Sequence, residues 1–347
     1  MSLAHHHIVR PLVEQQETLS RRMARRLLDG GSGVGATWQE LEDRLPELLG
    51  HLSDAVAAGR PGLFRDYLIW ARDYLRRRGR AEELDVWLQA AEEEIGATLD
   101  GELVQVVTDY LERARSELDS APEGTSPDPG DNPLGDLHHR YLDALLGADR
   151  AGAARLVDEA LHEGADVRDI YLYVFQAAQR EMGLRWQRNE VSVAQEHFCT
   201  AATQFVMSNL YDRVFSQDRL GRRVVVCSVS GDLHEIGGRM VADFFEMEGW
   251  DTHYLGANTP PESVVEAVLE RDAEGVALSA TMTTHVRATA EIVDHLRAEP
   301  RSADRWVMVG GYPFQLDPGL WRVVGADAMA SDALEAVQVA AALGAGS

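Results

Sequence analysis

No lysine occurs anywhere in the 347 residues, so all 33 basic side chains are arginine. That absence excludes a Schiff-base lysine and a Walker-type phosphate lysine, and with them pyridoxal and P-loop chemistry. Cysteine is almost absent: Cys199 and Cys227 stand far apart in the chain. They support neither a disulfide framework nor a cysteine-based zinc site, and a reducing cytoplasm is the simplest setting. No apolar run approaches the ~18 residues of a membrane span, and the start "MSLAHHHIVR" has no apolar signal segment, so neither export nor membrane insertion is expected. Positive charge is scarce against 57 Asp and Glu, leaving a formal net charge of −24 and a pI of about 4.8. Long-range electrostatics then disfavour nucleic acid and anionic membranes as direct partners.

What is present is ordinary for globular protein: 45% hydrophobic and 26% charged residues, over a length that suits two or three domains. His5, His6 and His7 are either a metal-binding cluster or an accident of the terminus. "SAPEGTSPDPGDNPLG" reads as a flexible linker over 120–135. Residues 1–119 before it carry helical patterns only, from "PLVEQQETLSRRMARRLLDG" through "TWQELEDRLPELLGHLSDAVAAGR", with a Thr N-cap, to "AEELDVWLQAAEEEIGATL". Residues 136–217 hold four further candidate helices, which suggests a four-helix bundle. From 218 to 347 the character changes. "VVVCSVS", "DTHYLGA", "GVALSA" and "WVMVGG" are short buried-type strands alternating with helical segments, the pattern of a doubly wound, Rossmann-like parallel α/β sheet. The expected fold class is therefore multidomain, with an all-α domain, a four-helix bundle and an α/β domain.

The loop "GDLHEIGG", 231–238, follows the first strand at its carboxyl end, where such sheets bind ligands. It lacks the G-x-G-x-x-G of a dinucleotide site. Asp232 and His234 admit two readings. An imidazole can ligate a metal through one nitrogen while the other is held by a carboxylate. A lone His builds no tetrahedral zinc site, yet it can serve as the axial ligand of a metal already held in a macrocycle. Alternatively, Asp232 caps the next helix and His234 sits in its first turn.

Gly231, Asp232, His234 and Gly237, then "LSAT" at 278–281, then Gly310-Gly311, resemble the cobalamin-binding module of the methionine synthase and mutase group. The resemblance covers roughly 218–345. It implies that His234 is the lower axial ligand of cobalt and that Asp232 bonds to it. It further implies that Ser279, Thr281, Gly310 and Gly311 line a slot for the displaced nucleotide tail. Thr281 departs from the Leu of many members. The bundle would then cap the upper corrin face. There "RWQRNEVSVAQEHF" places nine residues between Trp186 and Glu196-His197, a pattern similar to the light-sensing, adenosylcobalamin-dependent regulators of the CarH type. In that family these residues surround the adenosyl group, and Gln187 stands where the family has a second cobalt-ligating His.

Residues 1–119 do not look like a DNA-binding domain. "LFRDYLIWARDYLRRRG" and "LDVWLQAAEE" look like globin-like helical sensor domains, and the combination resembles photocobilins, which pair cobalamin with biliverdin. Arginines of "SRRMARR" and "YLRRRGR" suit bilin propionates, and Phe64, Tyr67, Trp70, Tyr74 and Trp87 suit its walls. With no Cys in this region, such binding would be noncovalent. The other reading is a solvated arginine face over an ordinary helical core. The expectation is thus a cytoplasmic, non-enzymatic light sensor: photolysis of adenosylcobalamin repacks the bundle and changes a homo-oligomeric state. With no output domain after residue 347, the signal is expected to leave through oligomerisation or an effector protein. The alternative is a corrinoid protein that carries methyl groups for methyltransferases, and a third class is a storage or scaffold protein. A mutase would need a barrel of ~250 residues that is not in the sequence.

Overall fold

The structure, a computed structural model, describes residue 3 and residues 6–29, 35–99, 101–118, 132–215 and 218–344. Residues 120–131 of the expected linker lie outside the described residues, as do His5 and the side chains of His6 and His7. In chain order come α1 (His6–Glu14), α2 (Gln16–Asp29), α3 (Trp38–Ala58), α4 (Pro61–Arg76), α5 (Glu83–Thr98) and α6 (Glu102–Leu118). Next are α7 (Gly135–Leu146), α8 (Arg150–His162) and α9 (Val167–Ile170), which runs through a π turn at Tyr171–Gln176 into α10 (Ala177–Gln187). α11 (Val193–Ser208) and α12 (Tyr211–Val214) follow. The last part alternates: β1 (Arg223–Ser228), α13 (Ile236–Met247), β2 (Asp251–Tyr254), α14 (Pro261–Arg271), β3 (Gly275–Ser279) and α15 (Val286–Ala298). It closes with β4 (Trp306–Gly310), α16 (Tyr312–Leu316), α17 (Leu320–Val323), β5 (Ala328–Ala330) and α18 (Ala333–Gly344).

The chain forms two compact units. One comprises Met1–Gly124, Ala280–Asp294 and Tyr312–Ala326; the other comprises Thr125–Ser279, His295–Gly311 and Asp327–Ser347. In the first unit α3 is the central helix. Thr37 caps it by accepting the Glu40 N–H at 3.2 Å, and Gly59 ends it at φ 64°, a left-handed conformation that glycine adopts without strain. Every residue from Leu48 to Ala58 is buried, so this stretch is packed on all sides rather than on one stripe.

The same unit corrects the bilin expectation. Phe64, Tyr67 and Trp87 are buried in the helical core. Tyr67, Trp70 and Tyr74 stack on one another at centroid distances of 5.9 and 5.3 Å, which leaves those faces occupied by protein. Three of the arginines pair with carboxylates: Arg22 and Arg26 with Glu94, Arg26 also with Glu93, and Arg80 with Glu40 and Glu83. The ordinary core reading is the one that the packing bears out, and the globin-like comparison gains nothing from it.

In the second unit α7, α8, α10 and α11 pack into one helical layer whose core includes Tyr141, Val157, Phe175 and Val206. The sheet order is β2-β1-β3-β4-β5, with every pairing parallel. Val224–Cys227 and Val276–Leu278 are buried, as expected of strands covered on both faces. β5, with the sequence Ala-Met-Ala, carries no β-branched residue and escapes sequence reading. Among the described residues, no helix is long and apolar enough to cross a membrane.

Candidate functional site

The second unit gathers its conspicuous polar groups at the carboxyl edge of β1, β3 and β4. Register places Ser228 beside Ser279 and Ser279 beside Gly310, a row of small residues across three strands. The chain leaves β1 through a tight turn in which Asp232 N–H donates to the Val229 carbonyl at 3.0 Å. Gly231 sits there at φ 83°, where a side chain would be strained. Asn258 fastens the turn, accepting the Gly231 N–H on its side chain at 2.8 Å and donating its own N–H to the Asp232 carbonyl at 2.9 Å.

This turn buries Asp232 completely and presents His234. Asp232 Oδ1 accepts the His234 backbone N–H at 3.0 Å and lies 2.8 Å from His234 Nδ1. The carboxylate thus fixes the ring at Nδ1, while the His234 side chain stays 57% exposed. The Asp232 hydrogen bond holds the His234 pKa above the ordinary histidine value against partial burial, and the charges of Asp232 and Glu196 add to it. The N-cap residue of α13 is Glu235, so His234 lies before the first turn of that helix and Asp232 is not its N-cap residue. Ser228 donates to the His234 carbonyl at 2.9 Å, and the Tyr254 hydroxyl donates to the Glu235 carbonyl at 2.9 Å.

Beyond the dyad the glycines allow close packing. A Cβ at Gly238 would sit 3.2 Å from Ser228 Oγ, and one at Gly237 would sit 3.6 Å from Ser279 Oγ. A Cβ at Gly310 would come within 2.9 Å of the Ala330 carbonyl, and Gly311 has φ 102°. Thr281, two residues past Ser279, falls in the first compact unit.

The helical layer supplies the remaining expected residues. Ser192 and Gln195 form a capping box that starts α11. Glu196 and His197 lie in its first turns and engage each other, with His197 Nδ1 at 2.7 Å from Glu196 Oε2. Thr200 Oγ1 lies 3.0 Å from Glu196 Oε1. Trp186, in the last turn of α10, is half-buried against the hydrophobic core. One turn down α11 from Thr200, Gln204 donates to Glu235 Oε2 at 2.7 Å, tying the helical layer to the His234 loop. Ser228, Asn258, Tyr254 and Gln204 were missed by sequence reading. Ser228 alone gave a signal, as a lone hydroxyl in an apolar strand.

Residues 222–339 match a family model described as B12 binding domain, and residues 137–211 match a second model with the same description. Both matched stretches lie on the carboxyl-terminal side of the expected linker. Monomethylamine corrinoid protein 2 of Methanosarcina mazei is 28% identical over 212 residues, which is 59% of this chain and 96% of that protein. The dimethylamine corrinoid protein of Methanosarcina barkeri is 27% identical over 208 residues, 58% of this chain and 94% of its own length. The solved monomethylamine corrinoid protein of Methanosarcina barkeri superimposes with a TM-score of 0.54 at 27% identity, covering 60% of this chain and 98% of that one.

These relatives overturn the light-sensing expectation and its CarH and photocobilin resemblances. Proteins matched over nearly their whole length are named for methylamine corrinoid systems. The spacing of Trp186, Glu196 and His197 is what resembled an adenosyl pocket. Glu196 is satisfied within α11 by His197 and Thr200, and Trp186 by core packing, so their spacing alone does not specify an adenosyl pocket.

The residues fit a cobalamin. Among the described residues no three His, Cys, Asp or Glu side chains converge as a metal cage, and a single imidazole such as His234 would suit a metal held by its own macrocycle. The row beside it consists of small residues, Ser228, Ser279 and Gly310, at the carboxyl ends of three adjacent strands.

Proposed function

We propose that this chain is a corrinoid protein that carries methyl groups for a methyltransferase system, acting as a carrier and not itself as the catalyst. The observation that supports it most is the Asp232–His234 dyad at the strand edge of a B12-binding domain, in a chain whose relatives are methylamine corrinoid proteins. Cobalamin, when bound, supplies a cobalt centre that takes up and gives up a methyl group. His234 would serve as its lower ligand through Nε2, with Asp232 fixing the tautomer and raising the basicity of the ring. Gly231, Gly237, Ser279, Thr281, Gly310 and Gly311 would accommodate the nucleotide tail. Trp186, Glu196 and His197 would border the bound corrinoid on the side of the helical layer. The partner is a methyltransferase.

The test loads the full chain with methylcobalamin and adds a corrinoid–thiol methyltransferase with its thiol acceptor. Demethylation is followed by absorbance in darkness. Faster transfer from the loaded protein than from free methylcobalamin, abolished in His234→Ala, is the expected result. Transfer no faster than from the free cofactor overturns the carrier reading.

A further inference from the structure

Within the second unit, α11 is held in the helical layer by a polar network that spans three helices. The Tyr141 hydroxyl of α7 and the Gln179 side-chain amide of α10 both donate to Thr203 Oγ1, each at 3.0 Å. Thr200 Oγ1 lies 3.1 Å from Gln179 Oε1 and 3.0 Å from Glu196 Oε1. Tyr141 and Thr203 are fully buried. A buried polar network of this kind favours one packing arrangement, so α11 has a defined place in the layer.

The next residue, Gln204, leaves that network and reaches the loop after β1. Glu196, Thr200 and Gln204 recur every fourth position, which puts them on one face of α11. Gln204 donates to Glu235 Oε2 at 2.7 Å. Glu235 is the chain neighbour of His234 and the N-cap residue of α13, yet its side chain makes no cap bond. Its carboxylate turns to α11 instead. Farther along the same face, the charge of Glu196 helps to hold the His234 pKa above its ordinary value, so two positions of that face act on the loop.

The His234 loop is thus held from three directions. Asp232 holds the His234 N–H and Nδ1 from within the loop. From the sheet, Ser228 donates to the His234 carbonyl and Tyr254 to the Glu235 carbonyl, each at 2.9 Å. Gln204 holds it from the helical layer. As a device for stability that last contact is poor. Glu235 is exposed, two long side chains lose rotamer freedom to make the bond, and water competes for both ends. What the bond does give is a fixed distance between α11 and the residue beside the imidazole.

We propose that Gln204 is a positioning residue for the cobalt ligand, acting through Glu235 to keep the His234 loop in its ligating place against α11. The helical layer then has a direct share in the strength of the lower ligand. The inference rests on the cobalamin reading of the site, with His234 as lower ligand, but not on methyl carriage.

The probe is cyanocobinamide, which carries no nucleotide base, so any nitrogen on its cobalt comes from the protein. The full chain is loaded with it, and cyanide is titrated in at constant pH. A second cyanide displaces the nitrogen ligand, and the dicyano form is read by absorbance, so the half-conversion concentration measures the hold of His234. Gln204→Leu is expected to lower that concentration about two- to tenfold, as loss of one hydrogen bond implies. Glu235→Gln keeps an acceptor oxygen for Gln204 and is expected to stay within about twofold of wild type. Gln204 is half-buried and Glu235 exposed, so neither variant opens the core. A wild-type midpoint in Gln204→Leu overturns the positioning role. A fall in Glu235→Gln as large as that in Gln204→Leu overturns it too, because the effect then belongs to the carboxylate charge. The control is the EPR spectrum of the reduced, Co(II) form, in which a protein nitrogen splits the cobalt lines. A wild-type chain that takes up no corrinoid, or takes it up without that splitting, overturns the reading of the site and the positioning role with it.

Discussion

Replacing Asp232 tests the dyad most directly, because its carboxyl is fully buried and meets both the backbone and the ring of His234. Oδ1 accepts the His234 backbone N–H at 3.0 Å and faces Nδ1 at 2.8 Å. Asp232→Ala removes both partners and leaves the N–H without this acceptor, at a cost of about 1–3 kcal/mol to the loop. Loss of such an outer partner weakens metal affinity by about 10- to 100-fold, which is about 1.4–2.7 kcal/mol. Asp232→Asn keeps an acceptor oxygen but not the charge, so it should fall between wild type and alanine. The assay is absorbance titration of the cofactor-free full chain with aquocobalamin. A companion measurement is the NMR titration of His234 without cofactor. Its pKa should lie above 6.5 in wild type and move back toward that value in Asp232→Asn, since the hydrogen bond and charge of Asp232 are what raise it. A folded-state pKa raised in this way gives stability that is complete below the unfolded value and is lost as pH rises through the folded one. If both Asp232 variants bind cobalamin like wild type and His234→Gln does too, neither residue touches the cofactor's coordination and the dyad argument is refuted.

Two further outcomes follow from the packing. His51 and Asp54 respond to acid with opposite signs. As pH falls from 7 to 4, an unfolded chain takes up a proton at His51 that the folded chain refuses, whereas the folded chain takes one up at Asp54 before the unfolded chain does. Relative to wild type, His51→Leu should therefore gain about 3 kcal/mol over that range and Asp54→Asn should lose about as much. Urea unfolding at the two pH values reads both, and shifts of the same sign would contradict this account. Gly310→Val places a Cβ 2.9 Å from the Ala330 carbonyl, so backbone must move. We expect a stability loss of about 1–3 kcal/mol together with loss of cobalamin binding, and binding at wild-type strength would show that this strand end does not line the slot.

The architecture was legible where one physical rule dominated. Alternating apolar strands and helices gave the parallel sheet, and the Thr37 cap and the stop at Gly59 framed α3 as its sequence suggests. The Asp232–His234 pairing was also readable, because a two-residue spacing in a loop lets a carboxylate reach an imidazole without help from distant chain. Asn258 was not readable: it supports the turn from 27 residues away, and no local rule distinguishes it from any other loop amide. The same limit explains the errors of function. Trp186, Glu196 and His197 have a spacing that resembles an adenosyl pocket, but spacing along two helices fixes only where side chains start. Glu196 ends on His197 and Thr200, and the Tyr67–Trp70–Tyr74 ladder that suited a bilin closes on itself. In both cases the residues were suited to a ligand, and the fold satisfied them with neighbours from the same helix. His51 shows the converse. In the sequence it is the one non-terminal histidine of residues 1–119, a weak pointer to haem, and only the arrival of Thr283 from 232 residues away makes it a structural pin. A residue whose role lies in a long-range polar contact is therefore the kind that sequence reading passes over, and in this chain such residues join the N-terminal helices to the segments that continue from the B12-binding strands.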